Sequence, residues 1–140
     1  MAGSQAAFRA IDFNANLAVA RAALAAGARR CGLVSAMGAN AKSSVFYNRV
    51  KGELEEALAQ IPFEGLVVAR PSLLIGNRGS LGQPERPLEE ILAIFMKLFG
   101  PLIPANYRAI DAAKVARTIL ACTPAAEGRV VVLSGDMHRS

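Results

Sequence analysis

The sequence predicts an α/β fold, a three-stranded parallel sheet with flanking helices. Continuous apolar runs at residues 31–36, 66–69 and 129–133 read as strands buried on both faces. Helical patterns separate them, and strand–helix alternation implies parallel pairing through crossovers. The chain has 140 residues, of which 53% are hydrophobic and 19% charged. That composition excludes a disordered chain and suits one domain with a core of its own.

Residues 2–11 are small and polar and read as a loop with a short helical turn near 5–9. Asp12 is placed to cap the Ala- and Leu-rich helix 13–26, because its carboxylate can accept free N–H groups of a first turn. Gly27 stands where a helix ends in a left-handed residue. The first strand follows at 31–36, and a Gly/Asn/Ser-containing loop carries the chain to a second helix. Ser43 or Ser44 is its expected cap. Val50, Leu54, Ala57 and Leu58 give that helix an apolar face, while Glu53, Glu55 and Glu56 read as a solvated middle. Gly52 lowers its helix propensity by about 1 kcal/mol against Ala, which a close packing contact would explain. Pro62 stops it.

The second strand, 66–69, ends at Arg70-Pro71. Residues 72–87 are rich in Gly, Pro, Asn and Arg and read as a long loop, a class that is usually functional or mobile. A helix is expected at 88–99, a short extended piece at 107–110, and a helix at 112–121 capped by Asp111. The last strand is 129–133, and residues 134–140 read as a tail.

Composition narrows the function classes. The net charge is +5. Its Arg residues are scattered and not interleaved with aromatics, so no nucleic-acid module is visible. An anionic cofactor accounts for the sign of the charge equally well. Cys31 and Cys122 lie in apolar contexts and read as buried free thiols. His138 alone makes no metal site. No apolar run reaches the roughly 20 residues of a membrane helix, and residues 1–9 lack the apolar core of a signal peptide. These features give the expectation of a cytoplasmic protein with no membrane contact.

Tyr47 and Lys51 lie four residues apart on the second helix, so they share a face. An ammonium beside a phenol favours the phenolate, as a general acid/base requires. Ser35, at the end of the preceding strand, brings a hydroxyl towards the same volume. The three residues form the candidate catalytic site.

The segments VSAMGAN, YNRVK, VVARPSLLIGNR and YRAIDAAKVART, taken together, resemble the second half of the short-chain dehydrogenase/reductase superfamily. Its atypical branch, grouped with nucleotide-sugar epimerases and Tat-interacting oxidoreductase-like proteins, is the nearer match. The resemblance spans residues 3–136. It implies the C-terminal half of a Rossmann-like doubly wound domain over residues 1–140 and an NAD(P)-dependent oxidoreductase or epimerase-like activity on a small molecule. By the same resemblance, Ser35 orients substrate, Tyr47 moves the proton and Lys51 assists it. Tyr47, Lys51, Arg70, Pro71, Ser72 and Leu73 then lie against NAD or NADP. Asp12 stands where many members carry asparagine.

The sequence departs from that family in having no strand followed by a glycine-rich turn and a helix, the element that holds a dinucleotide pyrophosphate. Gly76, Gly79 and Gly82 lie in the long loop and fail this context. The first strand would then expose an apolar edge. A truncated enzyme, a homodimer or a completing chain along that edge are the implied arrangements. The alternative function is a non-catalytic interaction or regulatory protein that keeps the half-fold.

Overall fold

The computed structural model describes residues 2–72, 74–75 and 110–139. It is an α/β structure with an open parallel sheet flanked by helices. The elements are α1 (Ala2–Arg9), a π-helical segment (Ala10–Ala15), α2 (Asn16–Ala25), β1 (Arg30–Val34), α3 (Phe46–Ala59) and β2 (Gly65–Arg70). After them come β3 (Leu74–Ile75), β4 (Ile110–Asp111), α4 (Ala112–Cys122), a 3-10 turn (Thr123–Ala125), β5 (Gly128–Leu133) and α5 (Ser134–Arg139). The three-stranded sheet has the order β1-β2-β5, and β3 and β4 form a separate two-stranded parallel pair.

β2 is central because its run Leu66–Ala69 is apolar on both faces. Leu66 and Val68 join Leu33 of β1, Leu17 and Ala20 of α2, and Leu54 and Leu58 of α3 in one core cluster. Ala69 faces the other way, into a cluster with Ile110, Val115 and Met137. Period-two alternation along β2 therefore feeds two helix layers. Fully burying each of the large aliphatic residues contributes roughly 1.5–3 kcal/mol.

Several local expectations hold. Gly27 ends α2 at φ +102°, a conformation that costs other residues more. Asp111 caps α4, its Oδ1 accepting the Ala113 N–H at 2.8 Å. Gly52 is a packing requirement: a Cβ there would lie 2.1 Å from the Ala41 backbone nitrogen and 2.3 Å from the Asn40 carbonyl carbon. The loop after β1 rests directly on α3 at this point.

Others are corrected. Residues 2–9 are helical, and Asp12 is no cap. It lies within the π-helical segment, with helix on both sides. The N-cap of α3 is Val45, without a side-chain cap, and the Ser43 hydroxyl accepts the Val45 N–H at 3.1 Å instead. Glu55 is 1% exposed, not solvated, because two arginines neutralise it. Leu74–Ile75, read as loop, pairs with β4 as a short strand. Residues 134–139 are helical rather than a loose tail, since Met137 is fully buried in the second cluster. Cys31 and Cys122 are free but half-buried. The helix expected at 88–99 and most of the loop expected at 72–87 lie outside the described residues.

Candidate functional site

α3 organises the candidate site. Its first turns carry Tyr47 and Lys51 on one face, and Glu55 follows four residues later. The Lys51 Nζ lies 5.7 Å from the centre of the Tyr47 ring. Phenol and ammonium are thus brought together as the spacing predicts. Tyr47 is 46% exposed, and its ring meets Phe8 of α1 at 5.5 Å between centroids. Phe8 also meets Phe46 edge-on at 5.9 Å.

The ammonium has a second partner. Lys51 Nζ is 2.8 Å from Asp12 Oδ2 and donates to Asp12 Oδ1 at 3.0 Å. Lys51 is buried, so this pair neutralises a charge that would otherwise be costly to desolvate. Just upstream, Arg9 pairs with Glu53 and stacks over Phe13 at 4.5 Å. The N-terminal helix is therefore strapped along α3 by Phe8, Arg9 and Asp12.

Ser35 follows β1 directly. Its N–H donates to Ala69 O at 2.8 Å, and the Met37 N–H donates to Pro71 O at 3.1 Å. The two strand ends carrying Ser35 and Pro71 therefore run side by side. The Ser35 hydroxyl is buried, and its oxygen has no hydrogen-bond partner. An unpaired buried hydroxyl costs roughly 1–3 kcal/mol, so it is a natural place for a ligand or water to bind.

The residues after β2 have other partners. Arg70 donates from Nε to Glu55 Oε1 at 3.0 Å and from Nη2 to Oε2 at 2.5 Å. Hydrogen bonding to this carboxylate pushes the Arg70 guanidinium above its ordinary value. Arg129 of β5 adds a further contact to Glu55 Oε2 at 3.0 Å. Pro71 is fully buried. The Ser72 and Ser134 hydroxyls are 3.2 Å apart. Leu73 lies outside the described residues.

A cavity of about 370 Å³ lies at the far end of α3, lined by Arg21, Leu24, Ala25, Ala57, Gln60, Ile61 and Pro62. It contains none of the predicted site residues. Burial raises the Cys31 thiol above its usual value, which favours an inert thiol. Among the described residues no three His, Cys, Asp or Glu side chains are grouped to hold a metal ion, and no helix is long and apolar enough to cross a membrane.

The sequence reading missed Asp12 as the partner of Lys51 and Glu55 as the partner of Arg70. One signal was available. Asp12 is the only acidic residue before Glu53, so it is the one carboxylate that the first 52 residues themselves offer a buried cation.

No family model matches the chain. Curated proteins do. It is 31% identical over 140 residues to "Protein FMP52, mitochondrial" of Candida albicans, an alignment covering 96% of this chain and 60% of that protein. The Meyerozyma guilliermondii protein of the same name is 33% identical over 138 residues, covering 96% of this chain and 59% of its own length. The Lodderomyces elongisporus protein is 46% identical over 77 residues, covering 55% of this chain and 32% of that protein. The chain thus spans at most about 60% of the length of these relatives.

These findings correct the assignment drawn from the resemblance. The relatives carry the name of a different family, and nothing supports placement in the short-chain dehydrogenase/reductase superfamily. The NAD(P)-dependent oxidoreductase or epimerase-like activity inferred from it is withdrawn with it. The physical reason is that a strand-end hydroxyl and a Tyr-x-x-x-Lys helix arise from common strand–loop–helix geometry, and a fold does not fix an activity. The cytoplasmic expectation is corrected too, since the relatives are named mitochondrial.

Proposed function

We propose that the chain is a mitochondrial interaction module whose β1 edge is completed by an added strand. The observation that carries this reading is the direction of the β1 amides. Ser35 N–H and Arg29 C=O both bond to the β2 side, at 2.8 Å each. Strand alternation then points the backbone groups of Arg30, Gly32 and Val34 away from β2, and no strand of the described residues lies there. Val34 is 41% exposed on this edge. Unpaired backbone groups beside apolar surface are a template for strand addition.

Light scattering and amide exchange test the proposal. The purified chain is expected to exceed its 14.7 kDa monomer mass, with slow exchange at Gly32 and Val34. Val34→Lys is expected to restore the monomer. A chain that stays monomeric, with both amides exchanging freely alone and when recovered from mitochondria, overturns the reading.

A ligand role for the α3 site is a second reading, favoured by the unpartnered Ser35 hydroxyl. The ligand class is NAD or NADP, with Ser35, Tyr47 and Lys51 meeting its polar ribose end and Arg70 and Ser72 flanking it. These residues suit one end of a dinucleotide only. The sequence offers no glycine-rich turn for the pyrophosphate, so that part would lie outside these residues. A fluorescence titration with NADH or NADPH is the test, with Ser35→Ala as control. No binding by folded, completed protein rules this reading out.

A further inference from the structure

We propose that the α3-side face of β5 is a docking surface for an acidic amphipathic helix of another polypeptide. This surface lies on the edge of the sheet opposite β1 and is independent of strand addition there. Register defines it. Leu66 pairs with Arg129, Val68 with Val131 and Arg70 with Leu133. Leu66 and Val68 face α2 and α3 in the first core cluster, so Arg129, Val131 and Leu133 face the same side. Arg129 confirms this by reaching Glu55 on α3.

On this side α2 and α3 cover β1 and β2, but β5 has no helix over it among the described residues. Val131 is 39% exposed and Leu133 37%. Sheet faces are normally closed by a layer, and a helix beside α3 would supply it. Charge selects the kind of helix. Arg70 and Arg129 bracket the strip and share the single carboxylate of Glu55. The cluster keeps one net positive charge, and each guanidinium retains N–H donors that no hydrogen bond among the described residues uses. A helix presenting aliphatic residues to Val131 and Leu133, with Glu or Asp towards the arginines, satisfies both requirements.

The experiment titrates the intact chain with two helix-forming probes, a Leu/Glu peptide and the matched Leu/Lys peptide. The Leu/Glu peptide is expected to bind, with affinity falling as salt is raised. Val131→Glu is expected to weaken it about tenfold or more, which is roughly 1.4 kcal/mol. Arg129→Gln, which keeps the Arg70–Glu55 pair, is expected to weaken it several-fold and to flatten the salt dependence. Circular dichroism checks that both variants stay folded. Equal binding of the two peptides, or no binding of either at about 1 mM, overturns the proposal. So does self-association that Val131→Glu abolishes, because the occupant is then a second copy.

Discussion

Lys51 and Glu55 stand one turn apart on the same face of α3, yet they tie the helix to different parts of the molecule. Lys51 reaches back to Asp12 and binds the N-terminal helix. Glu55 reaches across the sheet and binds Arg70 of β2 and Arg129 of β5. The first pair is one cation and one anion, with side chains 11% and 20% exposed. The second sets one carboxylate, 1% exposed, against two guanidiniums. Removing Asp12 leaves a single ammonium that can swing towards water. Removing Glu55 leaves two cations facing each other across the sheet. The sheet-side cluster is therefore structural, while the helix-side pair can be exchanged or displaced.

The largest expected effect comes from Glu55→Ala. Breaking a buried pair from the carboxylate side, with partly exposed arginines able to rehydrate, is expected to cost about 3 kcal/mol. Urea unfolding measures it, and a loss no larger than that of the Asp12 variant would show that the two ion pairs hold α3 equally. Gly52→Ala comes next. It loosens α3 without touching either ion pair, since the new methyl would collide with the Asn40–Ala41 backbone. Overpacking of that kind is expected to cost about 2 kcal/mol. A neutral or stabilised Gly52→Ala protein would show that this loop does not rest on α3.

Asp12→Asn is expected to cost about 1 kcal/mol, read from the urea midpoint. It should also raise the reactivity of Lys51 towards an amine-directed reagent, whereas Glu55→Gln should not. Equal Lys51 reactivity in the two variants would mean that Asp12 does not hold the ammonium. The smallest effect is expected at the exposed Arg29–Glu64 pair. The hydrogen bond from Arg29 holds the Glu64 carboxyl below its ordinary range. Its contribution is therefore present above the unfolded carboxylate value of about 4.3 and is lost as pH falls through the folded value. Wild type and Glu64→Gln should differ slightly at neutral pH and converge in acid. A gap that widens in acid would reverse the assignment.

Much of this fold was legible because its signals are local. Leu66–Ala69 is a continuous apolar run that can be satisfied only between two layers. Gly27 and Asp111 mark helix ends by chemistry that acts within one turn. Tyr47 and Lys51 meet because helix periodicity alone brings them together. Glu55 was misread because its partners lie 15 and 74 residues away. Nothing near it distinguishes it from the neighbouring Glu53 and Glu56. Asp12 was misread for a related reason. A carboxylate before an Ala/Leu-rich helix has the look of a cap, and only the approach of α3 makes an interior position worthwhile. Residues 134–139 have weak helical character of their own, and the place their Met137 finds in the core settles their conformation.

The π-helical segment Ala10–Ala15 sets the phase of everything upstream of it. Asp12 and Leu17 are five residues apart, the hydrogen-bond span of a π turn, with Leu17 just past the segment's end. One surplus residue thus lets Phe8, Arg9 and Asp12 address α3 while Leu17 and Ala20 address the sheet. Deleting any single residue from this stretch would swing the first two turns by about 100°. The strap would then present its aromatic and charged groups to solvent, with the rest of the architecture unaltered.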